Sequence, residues 1–286
     1  MVAVVDSPMH RVALAIQYLG TRFHGWQRQS NGISVQQTIE DILTGICKHK
    51  VVLHAAGRTD TGVHASGQVA HFDTNSPVPP ERWAKVLNAY LPADILIKAS
   101  VAVSSDWHAR FSATWRRYRY TIFTNATPNL FVRDYSWHYY LDPLDRDLIQ
   151  AAIAPMLGKQ HLAAFQRAGS KRPHAWLTVQ EAICWREGDF VYLEMQASGF
   201  LYGMMRLLVG MLVEVGRSRL SVGEFTRIWQ QQRRCDVKYA APPQGLCLLG
   251  VGYNNDPFAQ ISADNITADR RQRPVARLPG EIVMQV

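Results

Sequence analysis

The segment Ala56-Gly57-Arg58-Thr59-Asp60-Thr61-Gly62-Val63-His64-Ala65 sets one acid and one base between two glycines, directly after a predicted strand. Glycine at 57 and 62 lets the backbone take positive φ or approach a ligand closely, so the stretch reads as a tight, exposed loop. Arg58 and Asp60 are two positions apart and project to the same side of an extended backbone, where they can form an ion pair that fixes the carboxylate. An isolated Asp-Thr-Gly serves equally well to hydrogen-bond turn amides. The functional reading therefore leans on two other parts of the chain.

In Phe200-Leu201-Tyr202-Gly203-Met204-Met205-Arg206-Leu207-Leu208-Val209-Gly210, Arg206 interrupts a run that is apolar almost all round, the pattern of a buried helix. Leaving a buried charge without its partner costs roughly 3–5 kcal/mol, and Glu214 lies two helical turns away. A carboxylate from elsewhere, with Asp60 a candidate, or an RNA phosphate supplies the balance; the alternative is an Arg206 that reaches solvent from the helix rim. In His108-Ala109-Arg110-Phe111-Ser112-Ala113-Thr114-Trp115-Arg116-Arg117-Tyr118-Arg119-Tyr120, bases and aromatics interleave. Strand alternation puts Arg116, Tyr118 and Tyr120 on one face and Arg117 and Arg119 on the other. Basic residues can hold phosphates while an aromatic ring stacks on an unpaired base, although the tyrosines are equally suited to a core.

The elements that must position these residues follow from hydrophobic periodicity. Strands are predicted over 12–18, 51–55, 67–72 and 95–103, with helices over 35–47, capped by Ser34, and 81–90. A strand through Tyr118, Tyr120 and Ile122, another over 137–141 and a helix over 145–157 come next. An antiparallel hairpin of 175–185 and 190–197 follows, then helices over 203–216 and 222–231 and a closing strand over 246–253. Two successive sets of strands with helices indicate an α+β chain of two related halves. The expected division is residues 1–105, 106–255 and a polar tail over 256–286 whose composition reads as disordered.

With 286 residues, the chain is long enough for two cores. Lys and Arg number 31 against 23 acidic residues, a net charge of +8 that favours polyanions such as nucleic acid. Cys47, Cys184, Cys235 and Cys247 form no CxxC pair and the histidines are scattered, so no metal is expected. The longest apolar run, 200–213, contains Arg206 and falls short of the ~20 residues a membrane span needs. Val12 to Ile16 is too short for a signal-peptide core, so a cytoplasmic protein is expected.

Residues 57–65 resemble the GRTDxGVHA signature of the TruA family of tRNA pseudouridine synthases. Four further stretches fit in the same order: 20–27 (Gly-Thr-Arg-Phe-His-Gly-Trp-Gln), 108–113 (His-Ala-Arg-Phe-Ser-Ala), 200–206 and 241–246 (Ala-Pro-Pro-Gln-Gly-Leu). Leu19, Met205 and Leu162-Ala163 depart from the family's usual residues. The resemblance spans 11 to 253. It implies the pseudouridine synthase fold, two similar α/β domains whose antiparallel sheets meet at a central catalytic cleft, and a homodimer. It also implies a reaction, isomerisation of uridine to pseudouridine at positions 38, 39 and 40 in the anticodon stem-loop of tRNA, without a cofactor. Asp60 is then the catalytic carboxylate, Arg58 and Arg206 support it, and Tyr118 stacks on the target base. Two other classes compete. A noncatalytic RNA-binding module has no use for Asp60, and an aspartic protease needs a second Asp-Thr-Gly that the chain lacks and a like charge where Arg58 stands.

Overall fold

The structure is a computed structural model that describes residues 8–169 and 174–259. They divide into two compact units, the first running to Thr114 and resuming at Gly250, the second comprising Trp115–Leu249. Each unit joins helices to an antiparallel sheet, the α+β arrangement expected.

In the first unit, β1 (His10–Tyr18) lies between β3 (His64–Thr74) and β4 (Ile95–Val103), antiparallel to both, and the short β2 (His54–Ala55) extends β3. Side chains alternate along β1, with Val12, Leu14 and Ile16 on one face and Ala13 and Ala15 on the other. The alanine face builds a core of small residues, Ala13, Ala56, Val69, Ala99 and Ala109, closed over by Phe258 and packed on by Trp107 and Tyr253. Helix α1 (Val35–Cys47) opens at Ser34, whose hydroxyl accepts from the Gln37 amide at 3.2 Å. Ile39 and Leu43 of the expected apolar face are fully buried, while Ile42 and Ile46 are only half-buried. Helix α2 (Trp83–Asn88) sets Trp83 edge-on against Phe72.

In the second unit the sheet order is β5 (Ala113–Phe123), β9 (Phe190–Ala197), β8 (Trp176–Glu187) and β7 (Gly158–His161), all antiparallel, with β6 (Trp137–His138) parallel to β5. The hairpin of β8 and β9 turns through Gly188-Asp189, Gly188 at φ +54°. Three helices, α3 (Arg146–Ile153), α4 (Met204–Gly216) and α5 (Val222–Gln230), pack beside this sheet, and β10 (Leu246–Tyr253) is the last strand among the described residues. In α4 every residue except Arg206 and Glu214 is buried, as an all-round apolar sequence requires.

Several boundaries differ from the sequence reading. The strand expected over 51–55 pairs only at His54–Ala55, because Val51 and Leu53 are buried from a loop instead of a ladder. The strand expected over 137–141 pairs only at Trp137–His138. Strand β7 has the sequence Gly-Lys-Gln-His, with no apolar periodicity to betray it. The two compact units divide at 114/115 and 249/250. The segment around residues 104–112 is tied to β1 and β3: the Arg11 guanidinium donates to the Ser105 and Trp107 carbonyls at 2.6 and 2.7 Å while chelated by Asp73. Of the expected polar tail, Phe258 is packed in the small-residue core, and residues 260–286 lie outside the described residues.

Candidate active site

The loop carrying Asp60 is held from behind by the chain between β1 and α1. The Ala56 amide donates to the Val69 carbonyl at 2.8 Å, and the Gln68 side-chain amide donates to the Gly57 carbonyl at 2.8 Å, so the loop leaves β3's flank at a fixed angle. Thr59 is buried, and its hydroxyl shares a 2.8 Å hydrogen bond with the hydroxyl of Tyr18, the last residue of β1. The Trp26 amide donates to the Thr59 carbonyl at 3.1 Å. Beyond Asp60 the chain reverses: the Val63 amide donates to the Asp60 carbonyl at 3.1 Å across Gly62, at φ +79°. That is the turn in which only glycine sits comfortably at the third position.

Two glycines of the 20–27 stretch explain why it travels with the Asp60 loop. A Cβ on Gly25 would stand 2.5 Å from the Thr59 carbonyl oxygen, at φ +76°, and one on Gly20 would stand 2.0 Å from the Val63 carbonyl oxygen. Backbone lies on backbone at both points. The Gly20 amide donates to His64 Nδ1 at 3.0 Å, which fixes the residue where the loop re-enters β3. The outcome is a carboxylate at a rigid turn, with Asp60 half-buried, Thr59 buried beneath it and Arg58 exposed. Arg58 enters no ion pair among the described residues.

The other named residues belong to the second unit. Tyr118 lies in β5 opposite Met195 of β9, 6% exposed, its ring edge-on to Phe200 with centroids 4.7 Å apart. Tyr120 is fully buried, donating to the Pro242 carbonyl at 2.7 Å, and burial pushes its hydroxyl well above the usual tyrosine pKa. Arg206, half-buried in the first turn of α4, donates through Nε to the Ala241 carbonyl at 2.7 Å, while the Ala241 amide returns a bond to the Arg206 carbonyl at 2.9 Å. This reciprocal pair joins the 200–206 and 241–246 stretches. Gly210 permits it, since a Cβ there would stand 2.3 Å from the Tyr239 carbonyl oxygen.

Arg117 and Arg119, on the opposite face of β5 from Tyr118, are committed within the protein. Arg117 pairs with Glu194 at 3.0 Å and with Glu181, and Arg119 pairs with Glu194 at 2.8 Å and lies over the Trp185 ring. Those two arginines, which the sequence offers as phosphate ligands, are neutralised by carboxylates. Among the described residues no group of three His, Cys, Asp or Glu is arranged to hold a metal ion, and no helix is long and apolar enough to cross a membrane.

Residues 14–112 and 152–254 match the family described as tRNA pseudouridine synthase. The chain belongs to that family. Among curated relatives, the tRNA pseudouridine synthase A of Nostoc sp. is 61% identical over 248 residues, which cover 87% of this chain and 88% of that one. The protein of the same name from Thermosynechococcus vestitus is 58% identical over 259 residues, 90% and 91% of the two chains. That from Gloeobacter violaceus is 53% identical over 254 residues, 89% and 84% of the two chains. Within this pseudouridine synthase, Arg58 and Asp60 fall in the first matched stretch and Arg206 in the second, whereas Tyr118 falls between them.

Sequence reasoning passed over the Tyr18–Thr59 bond and the exposed ring of Phe111. The first had no local signal, because residues 41 positions apart in sequence meet only through β1 and the loop. The second lies within the alternation of bases and rings, in which the tyrosines are buried and the phenylalanine is exposed.

Proposed function

We propose that this chain isomerises uridine to pseudouridine at positions 38, 39 and 40 in the anticodon stem-loop of tRNA, with Asp60 as the catalytic carboxylate and no cofactor. The observation that carries this reading is the half-buried carboxylate of Asp60 on a turn buttressed through Thr59, Gly25 and Gly62, in a chain of the tRNA pseudouridine synthase family. A rigid support of this kind is what a reacting group needs, since small misplacements cost rate.

The reaction breaks the N1–C1′ bond, joins C5 to C1′, releases the C5 proton to solvent and takes up a proton at N1, so the product is an isomer and no redox partner is needed. Asp60 acts at the sugar, either by attacking C1′, by stabilising positive charge there, or by removing a neighbouring sugar proton. The target nucleotide is flipped out of its stack, at a cost of a few kcal/mol that stacking and phosphate contacts offset. Tyr118 receives the flipped base, and Arg58 and Arg206 supply positive charge to the carboxylate or to the RNA backbone. The net charge of +8 favours the polyanionic substrate. The protein acts in the cytoplasm as a homodimer, which lets one subunit hold the body of a tRNA whose loop another modifies.

The deciding experiment is tritium release from tRNA carrying 5-tritiated uridine, under single-turnover conditions, for the native protein and Asp60→Asn. Release by the former and none by the latter, with both binding tRNA, is the expected result. No release from either protein, with binding retained, makes the chain a noncatalytic RNA-binding module.

A further inference from the structure

The 108–113 stretch is built as a presentation device, and what it presents is Phe111. Ala109 is fully buried and clamped on both sides: its amide donates to His71 Nδ1 at 3.2 Å, and its carbonyl accepts from the Tyr253 hydroxyl at 2.8 Å. His108 closes the turn. Its Nδ1 accepts from the Arg110 amide at 3.0 Å, its amide donates to the Ser112 hydroxyl at 2.9 Å, and its carbonyl accepts from the Ser112 amide at 2.9 Å. With Arg11 holding the Ser105 and Trp107 carbonyls as well, residues 105–112 have little freedom left.

Out of this turn stands Phe111, 76% exposed, so its ring is held in water by a scaffold built for the purpose. Underneath lies a ladder of rings. The Phe111 centroid is 4.4 Å from that of His108, His108 is 4.5 Å from His71, and His54 stacks on His71 at 5.1 Å. Burial, aided by the neighbouring His108, Arg11 and His54, pushes His71 down to about 3, and burial also lowers His108, so both of these rings favour the neutral form. On the ring sits the Arg110 guanidinium, 5.7 Å from the centroid. An exposed, immobilised ring flanked by one cation is the pairing that single-stranded nucleic acid sites use, the ring taking a base and the cation a phosphate.

We infer that Phe111 is a stacking platform for an unpaired nucleotide of the substrate RNA, with Arg110 holding its phosphate. The inference rests on the proposed tRNA substrate and adds a binding subsite in the first unit. An apolar protein partner fits the patch less well, because the ring is flanked by Arg110 and His108, and the chain's net charge favours a polyanion.

The test measures the Kd of an unmodified tRNA transcript at several salt concentrations, together with the thermal midpoint, for Phe111→Leu, Phe111→Trp and Arg110→Gln. Stacking on an aromatic side chain predicts that Phe111→Leu weakens binding about 5- to 100-fold with an unchanged thermal midpoint, and that Phe111→Trp retains native affinity. Arg110→Gln should weaken binding and lower the slope of log K against log salt by about one. Native affinity in Phe111→Leu overturns the inference, and so does an affinity loss matched by a drop in thermal midpoint. The isomerase reading stands or falls separately, on tritium release by the native protein.

Discussion

Arg206 is worth more through its geometry than through its charge. Its Nε donates to the Ala241 carbonyl, which holds the guanidinium in a fixed plane. A lysine has one nitrogen and cannot hold the carbonyl and face an anion together. Arg206→Lys is therefore expected to lower the single-turnover rate at least tenfold while keeping most of the tRNA affinity; a native rate would remove Arg206 from the chemistry. Beneath Asp60 the hydroxyl pair of Tyr18 and Thr59 is buried, so Tyr18→Phe leaves Thr59 with one partner fewer. An unsatisfied buried group costs about 1–3 kcal/mol. Urea unfolding should show that loss, and the release rate should fall with it because the turn under the carboxylate loosens. Unchanged unfolding would mean that the Thr59 hydroxyl finds a new partner.

At the scale of elements, α4 and the 239–241 segment act as one body. Gly210 lies against the Tyr239 carbonyl, one helical turn after Arg206, and the reciprocal bonds between Arg206 and Ala241 close the contact. In Gly210→Ala the new methyl has no room, and overpacking of this kind costs about 1–3 kcal/mol. The expected outcome is a lower unfolding midpoint with a reduced release rate, the second because Ala241 moves away from the Arg206 Nε. Native activity at a lowered midpoint would separate the helix contact from the site. The same element shows what the sequence made legible. An apolar run broken only by Arg206 and Glu214 reads as a buried helix, and α4 buries every other residue. Ser34 announces α1, and β4 and β10 begin and end where alternation and Gly-Pro punctuation predict. What stayed hidden depends on partners remote in sequence. Strand β7 is polar and earns its place by pairing with β8, and the 104–112 stretch looks like a linker until Arg11 and His71 are seen to hold it. The Asp60 loop was legible as a loop, but the glycines that seat it, at 20 and 25, gain meaning only when their backbone contacts are known.

Across the whole molecule, pH acts on stability through the histidines under the 108–112 turn. His71 has its pKa lowered to about 3, against an ordinary value near 6.5, and its Nδ1 accepts a hydrogen bond from the Ala109 amide, a bond that an imidazolium could not keep. The groups around it are His108, Arg11 and His54, which oppose a second positive charge, and Asp73, which favours it but is already chelated by Arg11. Below pH 6.5 the unfolded chain takes up a proton that folded His71 refuses, so folding stability is full above 6.5 and declines as pH falls toward 3. Between pH 7.5 and 5.5 the expected loss is about 1 kcal/mol, after a discount for solvent screening. That window lies above the range in which Asp73 titrates, since Arg11 holds its carboxyl below the usual value. Urea unfolding of native protein and His71→Gln at both pH values isolates the effect. Gln keeps an acceptor for the Ala109 amide but has no proton to refuse, so the variant should start less stable and lose less on acidification. Parallel losses in the two proteins would assign the acid sensitivity to other groups, His108 first among them because its pKa is lowered by the same burial.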